Sequence, residues 1–345
     1  MPSSISNSND RLPAGPWLRI LAAGLALAVA AVGAIELFWR VCGYTPSVVD
    51  DKALWCYQRD RVGHAGPGAV VLLGASRIQQ AFVPDAFREV CPGHAYIQLA
   101  IGGWQPLAAL RDIAENTEFA GLVVVSATAA GFLPETVEQQ QHYVEYYHDE
   151  WGLDKKANCF IRTALQARLV LLYPSLSLQQ AAPDLARGEW PLQWIWTRAD
   201  RTQRVDYTRP DLDAFYASRL AVHRDNTERA ATLDGYTAWP EGLEAVREWV
   251  ARIQGRGGRV VLLRCPTGDG FWELDEEYFP RARFWDVLAE HTGAETIHFK
   301  DVPEMAGFQC AEGSHLFYED AERFTRALGR ELARRGLLGP ESGNP

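Results

Sequence analysis

The sequence predicts an α/β fold in which a mostly parallel sheet is covered by helices on both faces. Short apolar runs rich in Val, Ile and Leu recur along the chain, and glycine or polar residues bound them, as expected of strands buried on both faces. Helical stretches lie between these runs, and strands that alternate with helices pair in parallel through right-handed crossovers. Together these patterns favour a flavodoxin-like three-layer sandwich.

Five runs are expected to form the strands of this sheet. They span residues 69–73, 95–100, 122–125, 260–263 and, with a weaker pattern, 295–299. The helices expected between and after them span residues 84–90, 106–116, 241–254, 282–291 and 318–335. In a sheet of this kind, active sites lie beyond the carboxyl ends of the strands. Polar residues that directly follow a strand are therefore candidates for function.

The connection between the third and the fourth strand is far longer than the others. More than a hundred residues separate these strands, so the segment at about 135–238 is expected to be an insertion. Its parts at 137–147 and 159–172 have helical periodicity, whereas its middle is aromatic and irregular. We expect a single domain over 69–335 that carries this insertion, followed by a tail at 336–345.

An apolar run from Trp17 to Trp39 precedes the domain and is long enough to cross a bilayer as a helix. The two tryptophans are expected to mark the membrane interfaces. The predicted organisation is a cytoplasmic tail at 1–16, a transmembrane anchor at 17–41 and a linker or loosely packed lead-in at 42–68.

The charges beside this run favour an orientation with the N-terminus inside and the domain outside. Arg11 and Arg19 lie on its N-terminal side, and Asp50 and Asp51 follow it. The alternative is a cleaved signal peptide, because Ala-Val-Ala at 28–30 resembles a processing site. The apolar character continues beyond that site, which favours an uncleaved anchor in the inner membrane with the domain in the periplasm or another extracytoplasmic space.

Composition argues against nucleic acid, metal and cofactor binding. The formal net charge is -10, and no cluster of Lys and Arg marks a phosphate-binding face. Six cysteines lie far apart without the Cys-x-x-Cys spacing of zinc or redox sites. Some could form disulfides in an oxidising compartment, with Cys42 and Cys56 nearest in sequence, but the pairing cannot be deduced.

A serine lies directly after the first predicted strand, in the turn Gly74-Ala75-Ser76-Arg77. A serine there is a candidate nucleophile because the backbone N–H groups at the start of the following helix can stabilise an oxyanion. The alternative is that Ser76 only caps a helix or makes a turn.

The segment Glu312-Gly313-Ser314-His315 leads into the last predicted helix and provides candidates for the rest of a catalytic site. Glu312 can turn back across the loop to accept the imidazole N–H of His315, which would then act as base toward Ser76. This loop is expected at the same rim of the sheet as Ser76. In the alternative reading, Glu312 or Ser314 caps the helix and His315 is a surface residue.

These motifs resemble those of the SGNH (GDSL-like) hydrolase superfamily, and more narrowly of its membrane-anchored bacterial members, which are similar to the alginate O-acetylation and D-alanylation accessory proteins. The resemblance covers about 69–332 outside the insertion. VVLLGASRIQQAF matches the family's serine block, and EGSHL matches its Asp-x-x-His block with Glu312 in place of Asp. The resemblance implies that Ser76, His315 and Glu312 are the catalytic residues.

The resemblance also implies an oxyanion hole made by the backbone N–H groups of Ser76 and Gly103, with Gly102 as the alternate. The family's third block ends in an asparagine that adds a side-chain donor, but this chain has Ser126-Ala127-Thr128-Ala129 there. Losing one such donor costs about two to three orders of magnitude in rate, which favours a slow or specialised transferase. Whether Ser126 or Thr128 substitutes for the asparagine is left open.

The function expected is acyl transfer to or from a polysaccharide hydroxyl, or removal of such an acyl group, on an acylated polysaccharide or acyl donor. Twelve tryptophans suit a glycan substrate, and we expect Trp104 and Arg77 to contact it. The resemblance further implies a membrane-bound O-acyltransferase as a partner. The alternative is a non-catalytic glycan-binding or assembly protein on a degenerate scaffold, to which the missing asparagine and the Glu-for-Asp exchange both point.

Overall fold

The structure is a computed structural model that describes residues 15–340. Residues 1–14 of the predicted cytoplasmic tail and residues 341–345 of the predicted C-terminal tail lie outside this range. The strands are β1 Val70–Leu73, β2 Tyr96–Gln98, β3 Leu122–Ser126, β4 Ile195–Thr197, β5 Gln203–Val205, β6 Arg259–Arg264 and β7 Glu295–His298. The α-helices are α1 Trp17–Val41, α2 Lys52–Val62, α3 Ser76–Ala81, α4 Pro84–Val90, α5 Leu107–Asn116, α6 Val137–Glu150, α7 Leu153–Gln166, α8 Leu178–Ala186, α9 Leu212–Ala230, α10 Leu233–Gly255, α11 Asp269–Tyr278, α12 Arg281–Phe284, α13 Leu288–Thr292, α14 Pro303–Ala306 and α15 Tyr318–Arg334.

The five predicted strands form one sheet, which confirms the predicted fold class. Its order is β2-β1-β3-β6-β7, and every neighbouring pair is parallel. This order is the flavodoxin-like arrangement, in which the chain reverses direction across the sheet beside its first strand. The carboxyl ends of β1 and β3 therefore lie side by side, next to the loop that follows β2.

Alternate residues of β1 face opposite layers of helices. Val71 and Leu73 belong to a core shared with α2, α5 and α10, whereas Val70 and Leu72 belong to a core shared with α3, α4 and α15. All four side chains are buried. Burial on both faces explains why these strands are apolar throughout rather than alternating in polarity.

The segment between the anchor and β1 differs from the expected linker. It contains α2, whose first turn is capped by the Asp51 carboxylate accepting a hydrogen bond from the Leu54 N–H at 3.0 Å. Trp55 is fully buried in the core and donates its indole N–H to the Leu99 carbonyl at 3.0 Å. Glycines and prolines on either side of this helix favour an irregular segment, so the helix was not predicted. Its buried positions nevertheless follow a helical spacing.

Because Trp55 belongs to the core, its replacement should destabilise the whole domain. We expect Trp55→Ala to lower the free energy of unfolding by about 3–5 kcal/mol, through the cavity that it leaves and the lost hydrogen bond. Urea denaturation followed by circular dichroism measures this change. Tyr57→Ala on the same helix is the matched control, since Tyr57 is 37% exposed and its loss should cost less than about 1 kcal/mol. Equal effects of the two variants would show that α2 is not part of the core.

The long segment between β3 and β6 contains α6 to α9, the β4–β5 hairpin and α10. Arg201, at the tip of that hairpin, has a φ of +67° and is almost fully buried. Its guanidinium pairs with Asp50 at 2.6 Å and donates to the carbonyls of Gln98 and Ala100. This residue therefore ties the insertion to the lead-in segment and to the loop after β2.

Helix α1 is long and apolar enough to cross a membrane. Among its residues, Trp39 alone is buried against the rest of the chain. At the other end, the predicted C-terminal tail begins as a packed segment, because Leu337 is buried and its carbonyl accepts a hydrogen bond from Arg259 at 3.2 Å.

Candidate active site

Ser76 is the first residue of α3, and two residues, Gly74 and Ala75, separate it from the end of β1. The tight turn between them requires a glycine: Gly74 has a φ of +150°, and a Cβ there would lie 2.6 Å from Cγ2 of Ile78 and 2.9 Å from the Ser126 carbonyl oxygen. The turn places the Ser76 hydroxyl at the carboxyl end of the sheet, beside the first N–H groups of a helix.

The loop before α15 folds back on itself and brings Glu312 and His315 together. The Ala311 N–H donates to the His315 carbonyl at 2.7 Å, and Cys310 forms an antiparallel bridge with Leu316. Gly313 makes the reversal with a φ of +80°, where a Cβ would lie 2.6 Å from the Phe271 ring. The local fold of this loop thus orients the Glu312 side chain toward His315.

The structure brings Ser76, His315 and Glu312 into one chain of hydrogen bonds. Nε2 of His315 lies 2.7 Å from Oγ of Ser76, and its Nδ1 is hydrogen-bonded to Oε1 of Glu312. Because an ionised carboxylate only accepts, Nδ1 carries the proton and Nε2 is free to accept the one from Ser76. Glu312 is fully buried and also accepts a hydrogen bond from the Ser314 hydroxyl at 2.8 Å.

The surroundings of His315 favour its neutral form. Burial lowers the pKa of His315 from its ordinary value. The hydrogen bond that His315 donates to Glu312 acts in the opposite direction, and the positive charges of Arg219 and Arg77 lower the pKa further. The ring of Tyr207 stacks on the imidazole with 6.1 Å between centroids. Burial raises the pKa of Tyr207, so its hydroxyl stays protonated and donates to Oε1 of Gln80 at 2.6 Å.

The glycine loop after β2 lies beside Ser76. The Leu99 and Ile101 N–H groups donate to carbonyls of β1 and Gly74, which holds this loop against the serine turn. A Cβ on Gly102 would lie 3.8 Å from Cβ of Ser76, and Gly103 has a φ of +83°. The buried amide of Gln140 on α6 donates to the Gly74 carbonyl at 3.2 Å and to that of Trp104 at 3.3 Å. The Gln140 side chain is therefore hydrogen-bonded to both the serine turn and the glycine loop.

The two residues considered as substitutes for the missing asparagine have different environments. The Ser126 hydroxyl is buried and lies 3.2 Å from Sγ of Cys265, so it is already engaged. Thr128 is half-buried and lines the cavity in front of Ser76. Asn226, on α9 of the insertion, lines the same cavity with a side-chain amide, and no motif in the sequence marks this residue.

Ser76 opens into a cavity of about 610 Å³ between the sheet and the insertion. Gly103, Trp104 and Arg77 line it, and the Trp104 side chain is 41% exposed. Arg219 of α9 also lines it, and neither Arg77 nor Arg219 has a carboxylate partner among the side chains that the structure describes. The cavity is thus large enough for part of a polymeric substrate and locally positive in a chain of net negative charge.

Within the part of the chain that the structure describes, no group of three or more His, Cys, Asp or Glu side chains is arranged to hold a metal ion. All six cysteines fall within this part, and each is a free thiol in the structure. Cys56 lies in the core, whereas Cys42 is exposed, so these two are not paired.

Comparison with known proteins adds little to this geometry. No protein-family profile and no curated protein sequence matches the chain. Among solved structures, it is similar to one titled "Crystal Structure of TesA", with 11% sequence identity, a TM-score of 0.35 and coverage of 77% of this chain and 98% of that chain. A likeness of this degree supports no statement about activity or substrate.

Several residues around the site could not be selected from the sequence. Tyr207, Arg219 and Asn226 belong to the insertion, whose path over the domain is not set by local patterns. Ser314 lies inside a predicted motif, but its bond to Glu312 depends on the fold of the loop. Aromatic enrichment of the insertion was the one signal that pointed toward the site.

Proposed function

We propose that this protein is a membrane-anchored extracytoplasmic serine O-acyltransferase or esterase of the SGNH type, acting on acyl esters of a cell-surface or exported polysaccharide. The observation that supports it is the hydrogen-bonded chain from Ser76 through His315 to Glu312, which opens into a large cavity. A serine hydroxyl is inert until a base can take its proton, and this arrangement supplies one.

In the proposed mechanism, Oγ of Ser76 attacks the ester carbonyl while Nε2 of His315 takes the hydroxyl proton. Glu312 stabilises the imidazolium, and the backbone N–H groups of Ser76 and Gly103 hold the oxyanion. The tetrahedral intermediate formed by this attack then collapses and breaks the ester bond. His315 gives the proton that it took from Ser76 to the leaving alcohol. A glycan hydroxyl or water then attacks the acyl-serine and gives its proton to Nε2 of His315. The bond between Oγ of Ser76 and the acyl carbon breaks, His315 passes the proton to Oγ, and the new ester or the free acid is released.

The lining of the cavity supports a carbohydrate substrate. Trp104 offers an exposed aromatic surface for a sugar ring, and Asn226 offers an amide for its hydroxyls. Arg77 and Arg219, which lack carboxylate partners among the described residues, suit a substrate with a negative group near the ester. A membrane-bound O-acyltransferase that passes an acyl group across the inner membrane would be the partner, and α1 would hold the two together.

Acyl transfer and hydrolysis use the same residues, so the direction must be measured. The full chain is incubated with an aryl acetate and a series of oligosaccharides, and release of the phenol is compared with acetylation of the sugar. We expect acetyl-sugar to form in competition with acetate. If acetate is the sole product with every acceptor, the protein is an esterase; if no phenol is released, the proposed chemistry is wrong.

The second candidate is a non-catalytic glycan-binding or assembly protein. It is favoured by the absent asparagine at 126–129, where the Ser126 hydroxyl lies 3.2 Å from Sγ of Cys265. Under this alternative the chain would bind oligosaccharides in the cavity, and Ser76→Ala would leave that binding unchanged while no ester is turned over.

The environment of His315 predicts an unusual pH profile for ester turnover. Neutral His315 is the active base, so kcat/KM should fall as pH falls through its pKa, which burial holds below the ordinary value of about 6.5. We expect full activity at pH 7 and a midpoint below about 6.5 with a neutral ester. Arg219→Gln removes a positive charge and should move the midpoint upward. A midpoint above pH 7 in the unmodified protein would contradict this assignment.

A further inference from the structure

Helix α7 of the insertion carries its apolar residues on its outer face. Leu153, Phe160, Ile161 and Leu165 follow the spacing of one helical face, and their exposed fractions are 84%, 61%, 57% and 47%. A helix on the surface of a water-soluble domain normally has the opposite arrangement. A contiguous apolar face of this kind marks an interaction surface.

The inner face of α7 is polar and is fixed in place. Lys156 pairs with Asp60 at 2.8 Å, and Arg162 pairs with Asp51 at 2.7 Å, both against the lead-in helix α2. The Gln166 side chain is buried and accepts a hydrogen bond from the Val49 N–H at 3.2 Å. These contacts leave α7 no freedom to turn its apolar face inward without breaking two ion pairs.

A second exposed apolar segment lies next to the predicted anchor. Trp190 is 58% exposed and stacks on Phe38 of α1, with 6.5 Å between ring centroids, and Leu192 is 50% exposed. The Tyr44 hydroxyl donates to the Pro191 carbonyl at 2.6 Å, which holds this segment beside the end of α1. We call the two segments together the anchor-side surface, defined by Leu153, Phe160, Ile161, Leu165, Trp190 and Leu192.

The segment that follows α7 is hydrogen-bonded to α1. The Glu36 carboxylate accepts hydrogen bonds from the N–H groups of Val170 and Leu171 at 3.0 and 2.9 Å, and Arg40 donates to the Arg168 carbonyl at 2.6 Å. A hydrocarbon core of about 30 Å is crossed by about 20 helical residues, so a span that begins near Trp17 ends near Glu36. These polar contacts would then lie at the membrane interface.

We propose that the anchor-side surface lies in the interfacial layer of the same bilayer that α1 spans. This inference rests on the proposed membrane anchor. Apolar side chains on one face of a helix bind at the boundary of headgroups and acyl chains, and tryptophan favours the same depth. The contacts of α7 with the α2 segment, and of residues 168–171 with α1, hold this surface beside the span. The bilayer would thereby fix the height and tilt of the domain, and with them the distance of the Ser76 cavity from the membrane.

The test uses the full chain, one copy per lipid nanodisc, with Cys42 and Cys310 replaced by serine. An environment-sensitive fluorophore is attached at Ile161→Cys, at Leu27→Cys inside α1 or at Arg330→Cys. Arg330 is exposed on α15, which covers the opposite face of the sheet, and serves as the control. Lipids that carry a nitroxide near the headgroup or deep in the acyl chain then report the depth of each fluorophore.

We expect shallow nitroxides to quench the label at Ile161→Cys at least about twofold more than the label at Arg330→Cys. Adding Phe160→Ser and Leu165→Ser should abolish this difference without changing turnover of a small neutral ester, because α7 does not line the cavity. Deep quenching at Leu27→Cys without quenching at Ile161→Cys overturns the inference and leaves the anchor intact. Absence of quenching at Leu27→Cys overturns both. A label at Ile161→Cys that is shielded from water but is not quenched by lipid nitroxides indicates that this face packs against another part of the chain, and this result also overturns the inference.

Discussion

His315→Ala should lower the rate of acylation by a small ester by about a thousandfold or more, because Ser76 loses the group that accepts its proton. Nε2 of His315 is 2.7 Å from the Ser76 hydroxyl, and no other imidazole is hydrogen-bonded to this hydroxyl in the described chain. The rate is measured as release of a chromophoric alcohol under single-turnover conditions. Ser76→Ala should lower it as much, and the double variant should be no slower than either single one, since the two groups act as a unit.

His291→Ala is the matched control for this prediction. His291 is exposed on α13 and is not part of the cavity lining, so its replacement should leave the rate within about twofold of the unmodified value. Thermal unfolding of His315→Ala must be recorded alongside, because the variant leaves the buried Glu312 with the Ser314 hydroxyl as its remaining side-chain partner. A folded His315→Ala variant with full activity would rule out the proposed base.

Glu312→Gln should lower kcat/KM by about two to four orders of magnitude although it preserves the shape of the side chain. A glutamine amide can donate to Nδ1 of His315, which would put the remaining imidazole proton on Nε2 and prevent it from accepting the Ser76 proton. Loss of the carboxylate charge also removes the stabilisation of the imidazolium. The variant is assayed with the same ester as His315→Ala.

Glu312→Asp separates the effect of the negative charge at this position from the effect of side-chain length. Aspartate keeps the charge but is one methylene shorter, so we expect an activity between those of Glu312→Gln and the unmodified protein. Glu304→Gln, at an exposed position on α14, is the control for a loss of negative charge elsewhere. If Glu312→Gln is as active as Glu304→Gln, Glu312 has a structural role and does not orient His315.

The sheet was predictable because its strands are buried on both faces. Each predicted strand coincides with an observed one to within two residues at either end, since continuous apolar runs such as 122–125 have few other ways to be buried. The predicted boundaries of the helices deviate more from the observed ones. The predicted helix at 282–291 is divided into α12 and α13 by a turn that buries Trp285, which a periodicity argument does not detect.

The proximity of Ser76 and His315 followed from topology rather than from local pattern. Ser76 begins one helix and His315 precedes another at the carboxyl end of the same parallel sheet, so a separation of 239 positions in sequence does not keep them apart in space. The side chain of Glu312, one methylene longer than aspartate, is accommodated because Gly313 reverses the loop and Ser314 donates to the carboxylate.

The insertion limited what the sequence could predict. Its hairpin places Arg201 at the loop after β2, and α9 places Arg219 at the cavity, but neither position follows from periodicity or spacing. Contacts of this kind join residues far apart in sequence, and they depend on how the insertion packs against the sheet and its helices. The lead-in helix was missed for a related reason, since its buried face is recognised as such only when the core that covers it is known.

The central claim is that Ser76 is a nucleophile activated by His315. The most direct test is reaction of the full chain with a fluorophosphonate, followed by peptide mass spectrometry to identify the modified residue. We predict a single covalent adduct on Ser76 that is absent from a folded His315→Ala variant. No adduct on the folded protein, or an adduct on another serine, would contradict this account.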